Sequence, residues 1–287
     1  MTRGDFPVSL RSALDVEELS HRQYCDEVYF LGSFWPHSNQ SFESRVVKGF
    51  KECFPASLYE PYSSRIARFY CGKILERFAQ QDFDWVVRVM SSAETVPDQQ
   101  RPLAVLVSVL CSRLGARDCT QVFFRTNSRP PMRAVERLSG GEALRSRIRY
   151  AAEDLFVRPK TLGGRALLVD DIANTGASMR VYAFALKAFA GIDSVVAVNL
   201  AATRFANGKD GRGMLTLDTS ELESEPGLSR VFLDSSNSFH LEPDCRARVG
   251  SVSVEMRFLA ERRVKPCPIC AKQPPPKGLL GLFRLWK

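Results

Sequence analysis

The stretch from Ala166 to Gly191 constrains the fold of this chain more than any other. Ala166–Val169 is uninterrupted apolar text, two aspartates follow at Asp170 and Asp171, and Ile172–Gly176 is short and rich in small residues. Ala177–Ala190 then reads as a helix, and Gly191 ends it. The surrounding text repeats this alternation. Asp84–Met90 and Gln121–Phe124 read as strands, and so does Ser194–Leu200. Pro102–Leu114 has Leu103, Leu106, Val107, Leu110 and Leu114 at helical spacing, with Gly115 as its stop. Ser63–Ala79 carries a broad apolar helical face of Ile66, Phe69, Tyr70, Ile74 and Phe78. Strands separated by helices predict an α/β fold with a mainly parallel central sheet and helices on both faces. Such sheets bind ligands beyond the C-terminal ends of their strands.

The two aspartates stand where such a site belongs. A loop of small and hydroxyl residues opening a helix offers backbone N–H groups and a helix N-terminus around one small volume, which suits a phosphate. Gly176 permits close approach, and Thr175 and Ser178 add hydroxyls. Asp170 and Asp171 can accept hydrogen bonds from a diol such as the 2′ and 3′ hydroxyls of a ribose. One element would then hold a 5′-phosphate and the ribose attached to it.

The segment Leu167–Ser178 resembles the signature of type I phosphoribosyltransferases, which bind phosphoribosyl pyrophosphate (PRPP). Asn174 stands for the usual first Thr and Ser178 for the last. Within that superfamily the chain is similar to the ComF-like, amidophosphoribosyltransferase-like family, on four features. Ser44–Lys51 resembles an upstream stretch of that family, Trp85–Met90 sits at its first core strand, a basic linker precedes the signature, and a Cys-x-x-Cys is present. The resemblance implies a PRPP-binding set of Asp170, Asp171, Ala173, Asn174, Thr175, Gly176, Ala177 and Ser178, with the two aspartates as catalytic residues. It also implies Mg²⁺ with the PRPP, and transfer of the phosphoribosyl group to an unidentified, nitrogen-type acceptor. Where the family has its pyrophosphate-holding turns, this chain reads Val87–Ser92 and Asp98–Pro102. Arg88, Ser91, Ser92, Arg101 and Arg125 are the candidate pyrophosphate contacts.

The linker Arg125–Arg149 holds Arg125, Arg129, Arg133, Arg137, Arg145, Arg147 and Arg149 against Glu136 and Glu142. It reads either as a lid that closes on pyrophosphate or as a basic face for nucleic acid. The formal charge of +8 and a pI near 9.2 fit an anionic partner of either kind. The alternative function is therefore a non-catalytic module that senses PRPP or a nucleoside 5′-monophosphate, or that associates with nucleic acid.

The expected divisions are an N-terminal extension over 1–28, a phosphoribosyltransferase-like domain over 29–204 and a C-terminal appendage over 205–287. The first 25 or so residues are charged and show no clear place in a core. The appendage carries Cys267-Pro268-Ile269-Cys270, half of a zinc site, for which His240 and Cys245 are the nearest further ligands. It ends in the apolar tail Gly278–Trp286, which packs back on the domain or docks on a partner or membrane surface. No apolar run approaches the roughly 20 residues of a transmembrane helix. No apolar run follows Arg3 to make a secretory signal, so the expected location is the cytoplasm.

Overall fold

The structure is a computed structural model. It describes residues 6–34, 42–59, 62–78, 80–131, 140–203, 217–223, 230–236, 238–240, 245, 252–255 and 265–267. In chain order the elements begin with β1 (Val8–Ser9), α1 (Leu10–Ala13), α2 (Val16–His21) and β2 (Glu27–Phe34). Next come α3 (Phe42–Glu52), α4 (Tyr62–Phe78), β3 (Trp85–Arg88), α5 (Pro102–Leu114), β4 (Arg117–Asp118) and β5 (Phe123–Arg125). Then follow α6 (Gly140–Ala152), β6 (Leu155–Val157), β7 (Arg165–Ala173), α7 (Ala177–Ala188) and β8 (Ser194–Thr203). The last described elements are α8 (Ser220–Glu223), β9 (Arg230–Leu233), β10 (Ser238–His240), β11 (Val252–Glu255) and β12 (Lys265–Pro266). Among the described residues, no helix is long and apolar enough to cross a membrane.

Five strands form the central sheet in the order β2-β8-β7-β3-β4, and every pairing is parallel. The fold is thus α/β with a parallel sheet flanked by helices, as the alternation predicts. Strand geometry sends successive side chains to opposite faces, and this divides the core in two. Leu168, Ala197 and Val87 face a cluster shared with α6 and α7. Leu167, Val169, Val196 and Val198 face one shared with α3, α4 and α5. The central strands are buried on both faces, which explains their near-continuous apolar text.

Three expectations need correction. The segment Gln121–Phe124 does not enter the central sheet. That place is taken by Arg117–Asp118, while Phe123–Arg125 pairs antiparallel with β6 in a separate sheet of order β1-β6-β5. The stretch after Tyr29 contributes the tail of an edge strand, β2, which starts at Glu27, within the expected extension. Within the first 25 residues, the described ones do have a place in the core. Leu10 and Leu19 are fully buried, Cys25 nearly so, and β1 pairs with β6. Burying each leucine contributes on the order of 1.5–3 kcal/mol, enough to dock a charged segment through two residues. Ion pairs assist from outside: Arg145 on α6 donates to both carboxylate oxygens of Glu17 at 2.6 and 2.7 Å.

Candidate functional site

The site lies at the C-terminal end of β7, the middle strand of the sheet. Alternation along that strand sends Asp170 and Asp171 to opposite faces. Asp170 is in register with Asn199 of β8 and shares the α6/α7 side. Burial and the neighbouring Asp171 charge hold its carboxyl well above the usual carboxylate range. Asp171 turns to the α3 side, where Lys51 Nζ lies 2.7 Å from its carboxylate. Lys51 lies in the last turn of α3, an amphipathic helix whose Val46, Val47 and Phe50 are buried. Packing of that helix therefore fixes the lysine over the acid.

Beyond the acids the chain turns into α7. Asp170 Oδ1 accepts from the Asp171 N–H at 2.8 Å, and an Asp171 oxygen accepts from Ile172 N at 2.5 Å, so the carboxylates also brace the strand end. Gly176 is the N-cap of α7 with φ 74°, a left-handed conformation that costs other residues roughly 1–2 kcal/mol. No side chain among the described residues caps that helix. Its first-turn N–H groups therefore face the same volume as Thr175 and Ser178, which are half-buried, while Asn174 is exposed and Ala173 and Ala177 are buried. The arrangement joins N–H donors and hydroxyls on one side to two carboxylates on the other. Such a set can hold a phosphate beside a diol.

The next strand end has a different character. Arg88, a candidate pyrophosphate contact, is 1% exposed. Its guanidinium forms a two-pronged pair with Glu94 at 3.0 and 2.6 Å and donates to Asp98 O at 3.0 Å. Glu94 also accepts from the N–H groups of Ser91 and Asp98 at 2.6 and 2.9 Å. Arg88 thus points to the α3/α4/α5 side of the sheet and is committed to holding the loop after β3. This corrects the expectation that it contacts a ligand. Ser91 and Ser92 lie on that loop, close to β7, since Val89 N donates to Val169 O at 2.9 Å. Arg101 occupies the N-cap position of α5 without a side-chain capping bond, and its guanidinium stacks on Phe54 at 3.6 Å.

The basic linker is not one loop. Arg125 N donates to Thr95 O and Arg129 N to Ser92 O, so the linker's first residues run along the loop after β3. Arg125 is nearly buried and donates to Glu153 O at 3.3 Å. Arg129 stacks on Tyr150 and donates to its carbonyl, and burial pushes its guanidinium down to about 10. The linker's end is α6, packed on the core through Ile148, Ala151 and Ala152, where Arg145 and Arg149 pair with Glu17 and Glu142. Arg133 and Arg137 lie outside the described residues.

Sequence reasoning missed one residue here and misjudged another. Asn199 is 1% exposed, and among the described residues neither its side-chain oxygen nor its nitrogen has a partner. A buried amide in that state is an anomaly, and its place beside Asp170 aims it at the site. Lys51 entered the sequence reading only within the resemblance of Ser44–Lys51; its contact with Asp171 spans 120 residues. Of the expected zinc ligands, His240, Cys245 and Cys267 come together. Cys270 and the tail Gly278–Trp286 lie outside the described residues.

No protein-family model matches the chain, so the ComF-like resemblance finds no support there, and no curated protein matches its sequence. Among solved structures it is similar to an adenine phosphoribosyltransferase crystal structure, with 16% identity, a TM-score of 0.32 and coverage of 54% of this chain and 79% of that one.

Proposed function

We propose that the chain binds the ribose 5-phosphate part of PRPP and transfers the phosphoribosyl group to a nitrogen acceptor. The observation that supports this reading is the β7–α7 element, with two carboxylates at a central strand end and an uncapped helix start beyond Gly176. The N–H groups of Asn174–Ser178 and the Thr175 and Ser178 hydroxyls donate to the 5′-phosphate. Asp170 and Asp171 accept from the ribose hydroxyls and hold C1′ in place for attack from the open side. Two adjacent carboxyl groups, one held above its usual range by burial and then by its neighbour's charge, are hard-oxygen donors of the kind Mg²⁺ takes. When bound with PRPP, Mg²⁺ neutralises charge on the leaving pyrophosphate.

A second reading is favoured by one observation. The Arg88–Glu94 pair removes a cation from the neighbouring strand end, where a transferase needs donors for pyrophosphate. In that reading the chain senses PRPP or a nucleoside 5′-monophosphate without turning it over. Calorimetry with PRPP and Mg²⁺, then with a nucleoside 5′-monophosphate, tests what the two readings share. Absence of binding by the folded protein overturns both. Pyrophosphate release in a screen of bases and amines selects transfer, and binding without release selects sensing.

A further inference from the structure

Away from the central sheet, β9–β12 form a small sheet of order β11-β9-β10-β12. Strands β10 and β12 are parallel, with Ser238 opposite Lys265 and Phe239 opposite Pro266. One more step along that register brings His240 level with Cys267. Cys245, five residues after His240, joins them. The ligand atoms of the three side chains all lie within 4.8 Å of one another. The residues are 1%, 7% and 0% exposed for His240, Cys245 and Cys267.

The spacing of the sulfurs is informative. Cys245 Sγ and Cys267 Sγ are 3.7 Å apart. Two thiolates at about 2.3 Å from one tetrahedral Zn²⁺ are separated by roughly 3.8 Å. A third feature belongs to metal-binding histidines. His240 Nε2 meets Asp234 Oδ2 at 2.9 Å, and both side chains are buried. A carboxylate on one ring nitrogen fixes the tautomer and makes the other nitrogen, Nδ1, the ligand. Asp234 is itself set in place, since its Oδ1 accepts from Ser236 N, Ser236 Oγ and Ser238 N at 2.9, 2.7 and 2.9 Å.

We propose that His240, Cys245 and Cys267 bind one Zn²⁺ that holds the C-terminal sheet together. The Cys-x-x-Cys spacing offers Cys270 as the fourth thiolate in sequence. The full chain, purified under reducing conditions without chelator, contains about one zinc per chain by elemental analysis. Replacement with Co²⁺ gives the thiolate-to-cobalt absorption and the visible bands of a tetrahedral site. Cys245→Ser and Cys267→Ser each lose the metal, and Asp234→Asn keeps the site but binds zinc roughly 10–100-fold more weakly. Because the serine variants can unfold this sheet, the Co²⁺ spectrum of the unaltered chain is an independent readout. Failure of the reduced protein to take up Zn²⁺ or Co²⁺ overturns the proposal. So does full metal content in the Cys245→Ser/Cys267→Ser double variant, or a Co²⁺ spectrum without thiolate absorption.

Discussion

The ends of β7 and β3 are neighbours in one parallel sheet, yet they use charge in opposite ways. At β7, Asp170 and Asp171 stand at the mouth of a loop whose helix start is uncapped. At β3, Arg88 and Glu94 are sealed at 2% and 1% side-chain exposure, and the described side-chain hydrogen bonds of the pair tie down the adjoining loop. A buried pair that satisfies its surroundings gives a loop one shape. Two acids on successive residues, only one of them facing a lysine, leave carboxylate oxygens for a ligand. The contrast separates rigid support from ligand-directed chemistry within two adjacent strands.

The largest effect should come from breaking the sealed pair. Glu94→Gln leaves a buried guanidinium without its countercharge and should cost about 3–5 kcal/mol in urea unfolding. Arg88→Met combined with Glu94→Leu should recover most of that loss. Equal destabilisation in the double variant would show that the loop needs the charges themselves. Next comes the open end. Asp170→Asn with Asp171→Asn should weaken PRPP or nucleoside 5′-monophosphate binding roughly tenfold or more, since a charged hydrogen bond contributes about 1.5–3 kcal/mol. Asp170 also sharpens the comparison through pH. Its folded pKa lies above the unfolded one, so the stability it adds is fully present below the unfolded carboxylate pKa. That stability is lost as pH rises through the raised folded value. Asp170→Asn should remove this decline from a stability–pH profile of the ligand-free protein, and an unchanged profile would refute the assignment. Gly176→Ala should destabilise by roughly 1–2 kcal/mol through its φ of 74°, and a melting temperature within error of the parent would contradict the turn geometry. The smallest effect belongs to Lys51→Met. The lysine is half-exposed, so its pair with Asp171 is worth at most about 1 kcal/mol in folding, and the same variant should change ligand affinity more than stability.

The legible parts of this molecule were those with a long local pattern. Pro102–Leu114 matches its helix to the residue, because Pro at the start, Gly115 at the end and a steady apolar period all agree. The β7–α7 unit was readable for the same reason, although the strand runs on to Ala173. Strands β1 and β4 were invisible, since two residues carry no periodicity. The expected strand Gln121–Phe124 meets the observed one only at Phe123 and Phe124, since Thr120–Val122 is a 3-10 turn, and its sheet was not legible because its partner Leu155–Val157 lies beyond the whole linker. Arg88 misled for a related reason. In sequence it looks like a cation near a site, and only the fold shows which face it takes and that Glu94 waits there. Local text reports propensity and pattern, whereas sheet membership and charge pairing are decided by distant partners.

The edge strand β2 has a consequence for how the chain is made. Its Glu27 pairs with Val196, and 196 − 27 gives 169 intervening steps along the chain. A ribosome adding about 5–20 residues per second emits the second partner roughly 8–34 s after the first. During that interval the apolar residues of β2, with Leu31 destined for full burial, have no strand to lie against. Leu10 and Leu19 share the wait, since their neighbours on α6, β6 and α7 also emerge late. Residues 10–34 thus cannot complete their packing until the segment bearing Asp170 and Asp171 has been translated, and their apolar side chains stay exposed for that time.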